Sequence, residues 1–139
     1  MGSYKKLEVW QRAHRLAIAA YNATRGFPKS EQYGLTSQIR RAAASIPANV
    51  AEGCGRLGDR EMVRFLQYAL GSANELEYHL LLARELGFLS LEASTSLTPE
   101  AERIQRMLAA LIRSLRTGPI DQGPTTNSQR RRDDIKFPP

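Results

Sequence analysis

The sequence contains one cysteine, two histidines and no long apolar segment. Because Cys54 has no second cysteine to pair with, no disulfide can form within the chain, and nothing ties the protein to an oxidising compartment. No apolar run approaches the roughly 18 residues that a membrane-spanning helix needs. The N-terminus reads Met-Gly-Ser-Tyr-Lys-Lys and lacks the apolar core of a signal peptide. These absences predict a cytoplasmic protein that does not enter a membrane.

The common catalytic motifs are also missing. A two-metal site in a helical bundle uses Glu-x-x-His on two helices and a further Glu on each of the others. His79 follows Glu75 by four positions, and three positions before His14 stands Gln11, so neither histidine is in that frame. The sequence has no cysteine cluster for zinc, no G-x-x-x-x-G-K-[ST] loop and no G-x-S-x-G nucleophile turn. We therefore predict a protein without catalytic activity, bound metal or cofactor.

Basic residues outnumber acidic residues by 20 to 14, which gives a net charge of +6 and a pI near 9.9. Residues 1–117 hold 16 of the basic and 11 of the acidic residues, so most of the excess lies before the C-terminal segment. A basic surface favours an acidic partner, with nucleic acid first and an anionic membrane surface second. The alternative is a charge that serves only solubility.

Apolar residues recur at helical spacing in four segments, and no segment shows the two-residue alternation of a strand. Asp59 is a good N-cap for the third helix, and Thr98 followed by Pro99 is expected to open the firm part of the fourth. An earlier start of the fourth helix, near Ser90, stays open. The expected helices cover about residues 6–25, 36–53, 59–86 and 99–115.

The third helix carries more apolar surface than one interface requires. Its main seam is an unbroken three-four alternation of Met62, Leu66, Ala69, Ala73, Leu76, Leu80 and Ala83. Five further apolar residues point away from that line, namely Val63, Leu70, Tyr78, Leu81 and Leu82. A helix that is apolar on more than one side is buried on more than one side or meets another subunit, so the pattern favours self-association.

Four helices of this length, joined by short loops, can bury their stripes as antiparallel neighbours. The sequence therefore predicts an all-α fold, an antiparallel up-down four-helix bundle over residues 1–117. Residues 118–139 lose helical periodicity and are rich in Pro, Gly, Thr and Asn, which predicts a flexible, disordered tail. The arginines at 130–132 are a candidate phosphate-binding arm, but the aspartates at 133–134 favour a solvated tail.

Pro47 lies inside the second expected helix. Ile39, Ala42 and Ile46 recur at helical spacing before it and Val50 continues the spacing after it, so we expect the helix to run through the proline. A proline there removes one backbone hydrogen bond and clashes with the preceding turn, at a cost of about 3 kcal/mol. Two interpretations stay open: a kink that wraps the helix around a neighbour, or a bend that exposes backbone carbonyls to a partner.

The segment around this proline, SIPANVAEG (45–53), resembles the signature of the small four-helix-bundle proteins first noticed as open reading frames in intervening sequences of bacterial 23S rRNA genes. Further segments match in order: YKKLEVWQRAHRLA (4–17), FPKSEQYGLTSQIRRAA (27–43), GSANELEYHL (71–80) and RMLAALIRSL (106–115). Members of this family resemble the accessory protein of diversity-generating retroelements, which forms a homopentameric barrel and binds nucleic acid. The resemblance therefore implies a homopentamer, with nucleic acid and a nucleic-acid enzyme such as a reverse transcriptase as partners.

Five polar residues close to the apolar stripes need an explanation: Arg41, Ser45, Asn49, Glu52 and Glu75. The first four fall near one line of the second helix, and antiparallel packing would bring Arg41 toward Glu75 on the third. Either these side chains fringe the seam and stay solvated, or they form a structural polar cluster that fixes the register between helices or subunits. The family resemblance covers all five and favours the cluster.

Arginines recur at helical spacing on three of the expected helices. Such stripes can match the phosphates of a nucleic-acid backbone, and no recognition-helix motif, zinc finger or aromatic RNA-binding signature accompanies them. The candidate nucleic-acid-binding residues are Arg12, Arg15, Arg56, Arg60, Arg64, Arg106 and Arg113. We therefore predict a non-catalytic homo-oligomer that binds DNA or RNA with little sequence specificity. The alternative is a structural or adaptor oligomer that binds another protein and whose basic charge is incidental.

Overall fold

The computed structural model describes residues 3–117, and within that range the chain forms four α-helices and no β-strand. The helices are α1 (Glu8–Ala23), α2 (Leu35–Cys54), α3 (Asp59–Glu85) and α4 (Leu91–Arg116). Single 3₁₀ turns precede the first two of them, at Tyr4–Lys6 and Lys29–Glu31. The predicted tail, 118–139, lies outside the described residues.

The order of packing around the bundle follows the order of the chain. α1 packs against α2, α2 against α3, α3 against α4, and α4 returns to α1. Since short connections join the helices, each neighbour runs antiparallel to the last, as in an up-down bundle. The predicted all-α four-helix bundle is therefore confirmed. No helix between residues 3 and 117 is both long enough and apolar enough to cross a membrane.

Two predicted N-caps, Asp59 and Thr98, are wrong, although α3 begins at the expected residue. Asp59 is the first residue of α3 rather than its cap, and the cap position is held by Gly58, whose φ of 91° is accessible to glycine. α4 begins at Leu91, where the Ser90 hydroxyl accepts a hydrogen bond from the Ala93 N–H at 3.1 Å. Thr98 is therefore not a cap, and the earlier start near Ser90 is the one that the chain uses. The first helix is also shorter than expected, beginning at Glu8 and ending at Ala23.

The core is organised around α3, because this helix packs along its length against both α2 and α4. All seven residues of its predicted seam are buried. They meet Ile39, Ile46 and Val50 from α2 and Ile104 and Leu108 from α4, all fully buried. α2 continues through Pro47, which is itself buried, so the proline ring forms part of the packed surface of the helix.

The surplus apolar residues of α3 divide into two groups. Val63 is buried, and Leu70 and Leu82 are partly buried against the core of the same chain. Tyr78 and Leu81 are 57% and 43% exposed. The intrachain bundle therefore covers the first three and leaves the last two on the surface.

Candidate nucleic-acid interface

The end of the bundle at which α3 begins and α4 ends is strongly basic. Arg56 lies in the turn between α2 and α3, Arg60 and Arg64 on the first two turns of α3, and Arg113 and Arg116 on the last turn of α4. All five side chains are exposed. We call these five residues the basic end. It includes four arginines that the spacing singled out as candidates and adds Arg116.

An open groove of about 820 Å³ separates the start of α3 from the end of α4. Arg60, Arg64 and Arg116 line it together with the carboxylates of Asp59 and Glu61. Three guanidinium groups around one concave surface are arranged to meet an anion, because arginine presents several N–H donors in a planar fork that matches phosphate oxygens.

Two arginines of the basic end are held by nearby carboxylates. Arg64 Nη2 donates to Glu61 Oε1 at 2.9 Å, and this hydrogen bond raises the pKa of Arg64 above its usual range. Arg56 Nη2 lies 2.7 Å from Glu52 Oε2. Both pairs are exposed, and such pairs contribute about 0–1 kcal/mol each, so a phosphate can compete for the arginine.

The other three arginines of the basic end are not held by a carboxylate within the part of the chain that the structure describes. Arg60, Arg113 and Arg116 make no ion pair with any residue between 3 and 117. Their positive charge is therefore the part of the basic end that is most available to a partner.

Arg12, another predicted contact, lies elsewhere in the bundle and is already paired. Its Nε lies 3.1 Å from Glu8 Oε2, and its Nη1 lies 3.1 Å from Glu100 Oε2 across the interface with α4. The hydrogen bonds to Glu100 and then to Glu8 raise the pKa of Arg12. Two carboxylates surround this half-buried guanidinium. Arg12 therefore links α1 to α4, and its positive charge is compensated within the chain rather than available to a nucleic acid.

The remaining predicted arginines are exposed but do not belong to the basic end. Arg15 lies on α1, and Arg106 lies on α4 two turns before Arg113. The structure therefore brings together one part of the predicted set, around the start of α3 and the end of α4, and leaves Arg15 and Arg106 outside it.

An aromatic pair lies among the arginines of the basic end, and the spacing of the arginines alone does not reveal it. The Arg56 guanidinium lies 4.9 Å from the ring centroid of Phe65. That of Arg64 lies 5.0 Å from the same ring and 5.9 Å from the ring of Tyr68. The two rings meet edge to face with centroids 5.5 Å apart. We call these four residues the stacking patch. The signal in the sequence is Phe65 directly after Arg64, with Tyr68 one turn further along the same helix.

The predicted polar cluster is centred on Ser45. Asn49 Nδ2 donates to both the carbonyl and the hydroxyl of Ser45 at 2.9 Å, one turn earlier on α2. The Ser72 hydroxyl of α3 donates to the Ser45 hydroxyl at 2.8 Å. Ser72, which was not among the predicted residues, is thus the partner that connects this part of α2 to α3. Because both helices contribute to it, the bond depends on their register.

The charged members of the predicted cluster lie around this centre. Arg41 and Glu75 line a small groove of about 270 Å³ beside Ser45 and Ser72, without an ion pair between them. Glu75 lies 3.8 Å from Nε2 of His79. Glu52 pairs with Arg56 of the basic end and therefore lies apart from the polar cluster around Ser45.

Comparison with known proteins identifies the family. A family model described as 23S rRNA-intervening sequence protein matches residues 5–110. The chain belongs to this family. The match contains α1, α2, α3 and most of α4, and it stops before Arg113 and Arg116. It therefore confirms the family that the segment at 45–53 indicated.

A solved structure supports the fold independently. It is a protein of unknown function from the S23 ribosomal protein family of Bacteroides thetaiotaomicron, and it is 25% identical to this chain. The alignment covers 75% of this chain and 97% of that chain with a TM-score of 0.70. No curated protein matches the chain.

Proposed function

We propose that this member of the 23S rRNA-intervening sequence protein family is a non-catalytic homo-oligomer that binds nucleic acid through the phosphate backbone. It acts in the cytoplasm, alone or together with a nucleic-acid enzyme such as a reverse transcriptase. The observation that carries the proposal is the basic end, where five exposed arginines gather and three of them have no carboxylate partner between residues 3 and 117.

The expected contacts are electrostatic and independent of base sequence. Arginine side chains on the surface of a helix end reach phosphate oxygens, which position a protein on a nucleic acid but carry no sequence information. DNA and RNA of mixed sequence are therefore both expected to bind.

Two exposed apolar faces support the assembly. On α1, Ile18 and Tyr21 are about half exposed, and on the opposite side of the bundle a groove between α3 and α4 is lined by Tyr78, Leu81 and Leu91. Both faces lie toward the end of the bundle where α1 and α3 finish. We define them as the α1 face and the α3–α4 face.

Two different faces on opposite sides of a subunit fit a head-to-tail contact, in which the α1 face of one copy packs on the α3–α4 face of the next. Such a contact generates a closed ring when the rotation between copies closes. The homopentamer that the family resemblance implies is one such ring. Because both faces lie at the same level of the bundle, the basic ends of all copies would point to the same side of the ring.

The adaptor function remains the second candidate, and one observation favours it. Arg12, Arg56 and Arg64 are all engaged by carboxylates, so part of the arginine pattern serves pairing within the chain. In this alternative the oligomer binds another protein, and the remaining basic charge is incidental.

A pair of matched double variants tests the binding function. Replacing Arg60 and Arg116 by Gln removes two charges from the groove of the basic end, neither of them ion-paired within residues 3–117. Replacing Arg25 and Lys29 by Gln removes two exposed charges from the opposite end. Fluorescence anisotropy with a labelled mixed-sequence 20-base-pair duplex at about 50 mM salt should show roughly tenfold weaker binding for the first variant. Its log–log salt slope should also be shallower by about one for each phosphate that the variant no longer neutralises.

The control variant should bind within about twofold of the wild type. Equal reductions in the two variants would mean that only net charge matters, which would remove the basic end as the binding site. No binding by the wild type would leave the adaptor function as the better account.

A further inference from the structure

The stacking patch places an exposed tyrosine ring and two arginines side by side on the surface, where packing of the core does not require them. Tyr68 is 49% exposed, and its ring lies beside Phe65 and under the guanidinium of Arg64. Arg56 covers Phe65 from the turn between α2 and α3. Phe65 is partly buried, and a Cβ placed at Gly53, near the end of α2, would lie 3.1 Å from the Phe65 Cβ, so the residue packs close to that backbone. Tyr68 therefore supplies the open aromatic surface, and Phe65 holds it in place.

The charge around the patch selects the kind of ligand that such a surface would accept. The exposed tyrosine ring would contact a flat apolar or aromatic group. Arg56 and Arg64 lie against the rings and Arg60 lies one turn away on α3, so the ligand should also carry a negative charge beside that group. A guanidinium stacked on a ring can still donate to an anion in its own plane, and here the anion would compete with Glu52 for Arg56 and with Glu61 for Arg64. A nucleotide of a single strand has this chemistry, with an aromatic base and a phosphate on either side of it.

We propose that Phe65 and Tyr68, flanked by Arg56 and Arg64, form a base-stacking site that makes the protein prefer single-stranded nucleic acid to duplex. In a duplex the faces of the bases are covered by their neighbours, so an aromatic side chain cannot stack on them without opening the helix. In a single strand the faces are accessible, and stacking on an aromatic side chain strengthens binding by a factor of about 10 to 100 per base. The inference rests on the proposed nucleic-acid function and goes beyond it by naming the strand form.

The stacking site contacts a base, whereas the arginines of the groove between α3 and α4 contact phosphates. Variants at the two places are therefore expected to have different effects on binding. Phosphate contacts by Arg60 and Arg116 act on duplex and single strand alike, whereas Tyr68 acts only where a base face is free. DNA and RNA single strands share the required chemistry, because every base has an aromatic face.

The test compares Tyr68→Ala with Tyr33→Ala, in which a tyrosine that is 89% exposed is removed from the turn before α2. Anisotropy is measured at one low salt concentration with three labelled 20-nucleotide probes of one mixed sequence: single-stranded DNA, single-stranded RNA and the DNA duplex. The wild type should bind at least one single strand several-fold more tightly than the duplex. Tyr68→Ala should weaken single-strand binding about tenfold and change duplex affinity less than twofold. Tyr68→Phe, which keeps an aromatic ring, should bind the single strands as the wild type does.

Each outcome decides a specific point. If Tyr68→Ala and Tyr33→Ala bind the single strands equally well, the proposed stacking site is wrong, while the proposed phosphate contacts of the groove between α3 and α4 are unaffected. If Tyr68→Ala weakens duplex and single-strand binding to the same extent, Tyr68 supports the shape of the basic end, and the stacking site is again wrong. If the wild type binds no probe, the proposed nucleic-acid function and the stacking site both fail. A stronger effect on the RNA or on the DNA strand would identify which of them the site takes.

Discussion

Leu81→Glu is expected to convert the proposed oligomer into monomers of about 15.5 kDa. Leu81 is 43% exposed in the single chain, so a carboxylate there stays in water while the chain is monomeric. In the proposed head-to-tail assembly the next copy would cover the same position, and burying an unpaired charge there would cost more free energy than an ordinary apolar contact contributes. Light scattering after gel filtration at micromolar concentration measures the change directly.

The matched control is Leu57→Glu, which makes the same chemical change at a residue that is 90% exposed and lies off both assembly faces. It should keep the mass of the wild type. Circular dichroism should show equal helicity for both variants, since neither residue belongs to the core. A wild type that is already monomeric would disprove the assembly. A Leu81→Glu variant of unchanged mass would show that the α3–α4 face is not part of the contact between copies.

Leu76→Ala is expected to lower the free energy of unfolding by about 2–5 kcal/mol. Leu76 is fully buried on the seam of α3, the helix that packs against both α2 and α4, so truncation leaves a cavity that the surrounding helices fill only in part. Leu57→Ala, at the exposed position, should change stability by less than about 0.5 kcal/mol. Urea unfolding at one fixed protomer concentration measures both. Equal effects would contradict the placement of α3 at the centre of the core.

The helices could be predicted from the sequence because burial follows spacing directly. The three-four alternation from Met62 to Ala83 specifies one face of a helix whatever the tertiary contacts are, and all seven of its residues are buried. The segment at 45–53 carried enough information to indicate the family, which the match over residues 5–110 confirms.

The sequence alone leaves the start of α4 open between Ser90 and Thr98. Proline after threonine is a frequent helix start, but here Pro99 is the ninth residue of the helix. Its side chain is exposed. Because proline has no N–H, the carbonyl of Thr95, an exposed residue four positions earlier, does not receive the usual helical hydrogen bond. The helix begins after the Ser90 cap. Serine is frequent outside helix caps, so by itself it is a weaker sequence signal for a helix start than Thr98 followed by Pro99.

The roles of the arginines depend on contacts that spacing does not contain. Arg12 and Arg15 look equivalent in the sequence, but only Arg12 meets Glu100, which lies 88 positions away on α4. The meeting of Arg60 and Arg64 with Arg116 around one groove likewise depends on how α3 and α4 pack. The fold was therefore readable from local pattern, while the candidate site required the pairing of helices distant in sequence.

The salt dependence of binding tests the central claim most directly. The affinity of the wild type for a mixed-sequence duplex should be measured by anisotropy from about 50 to 300 mM salt. If Arg60, Arg113 and Arg116 each neutralise one phosphate, the log of the binding constant should fall linearly with the log of the salt concentration, with a slope of about −2.7 for each protomer engaged. An affinity that does not change with salt, or no binding at the lowest salt concentration, would contradict a protein whose basic end binds nucleic acid.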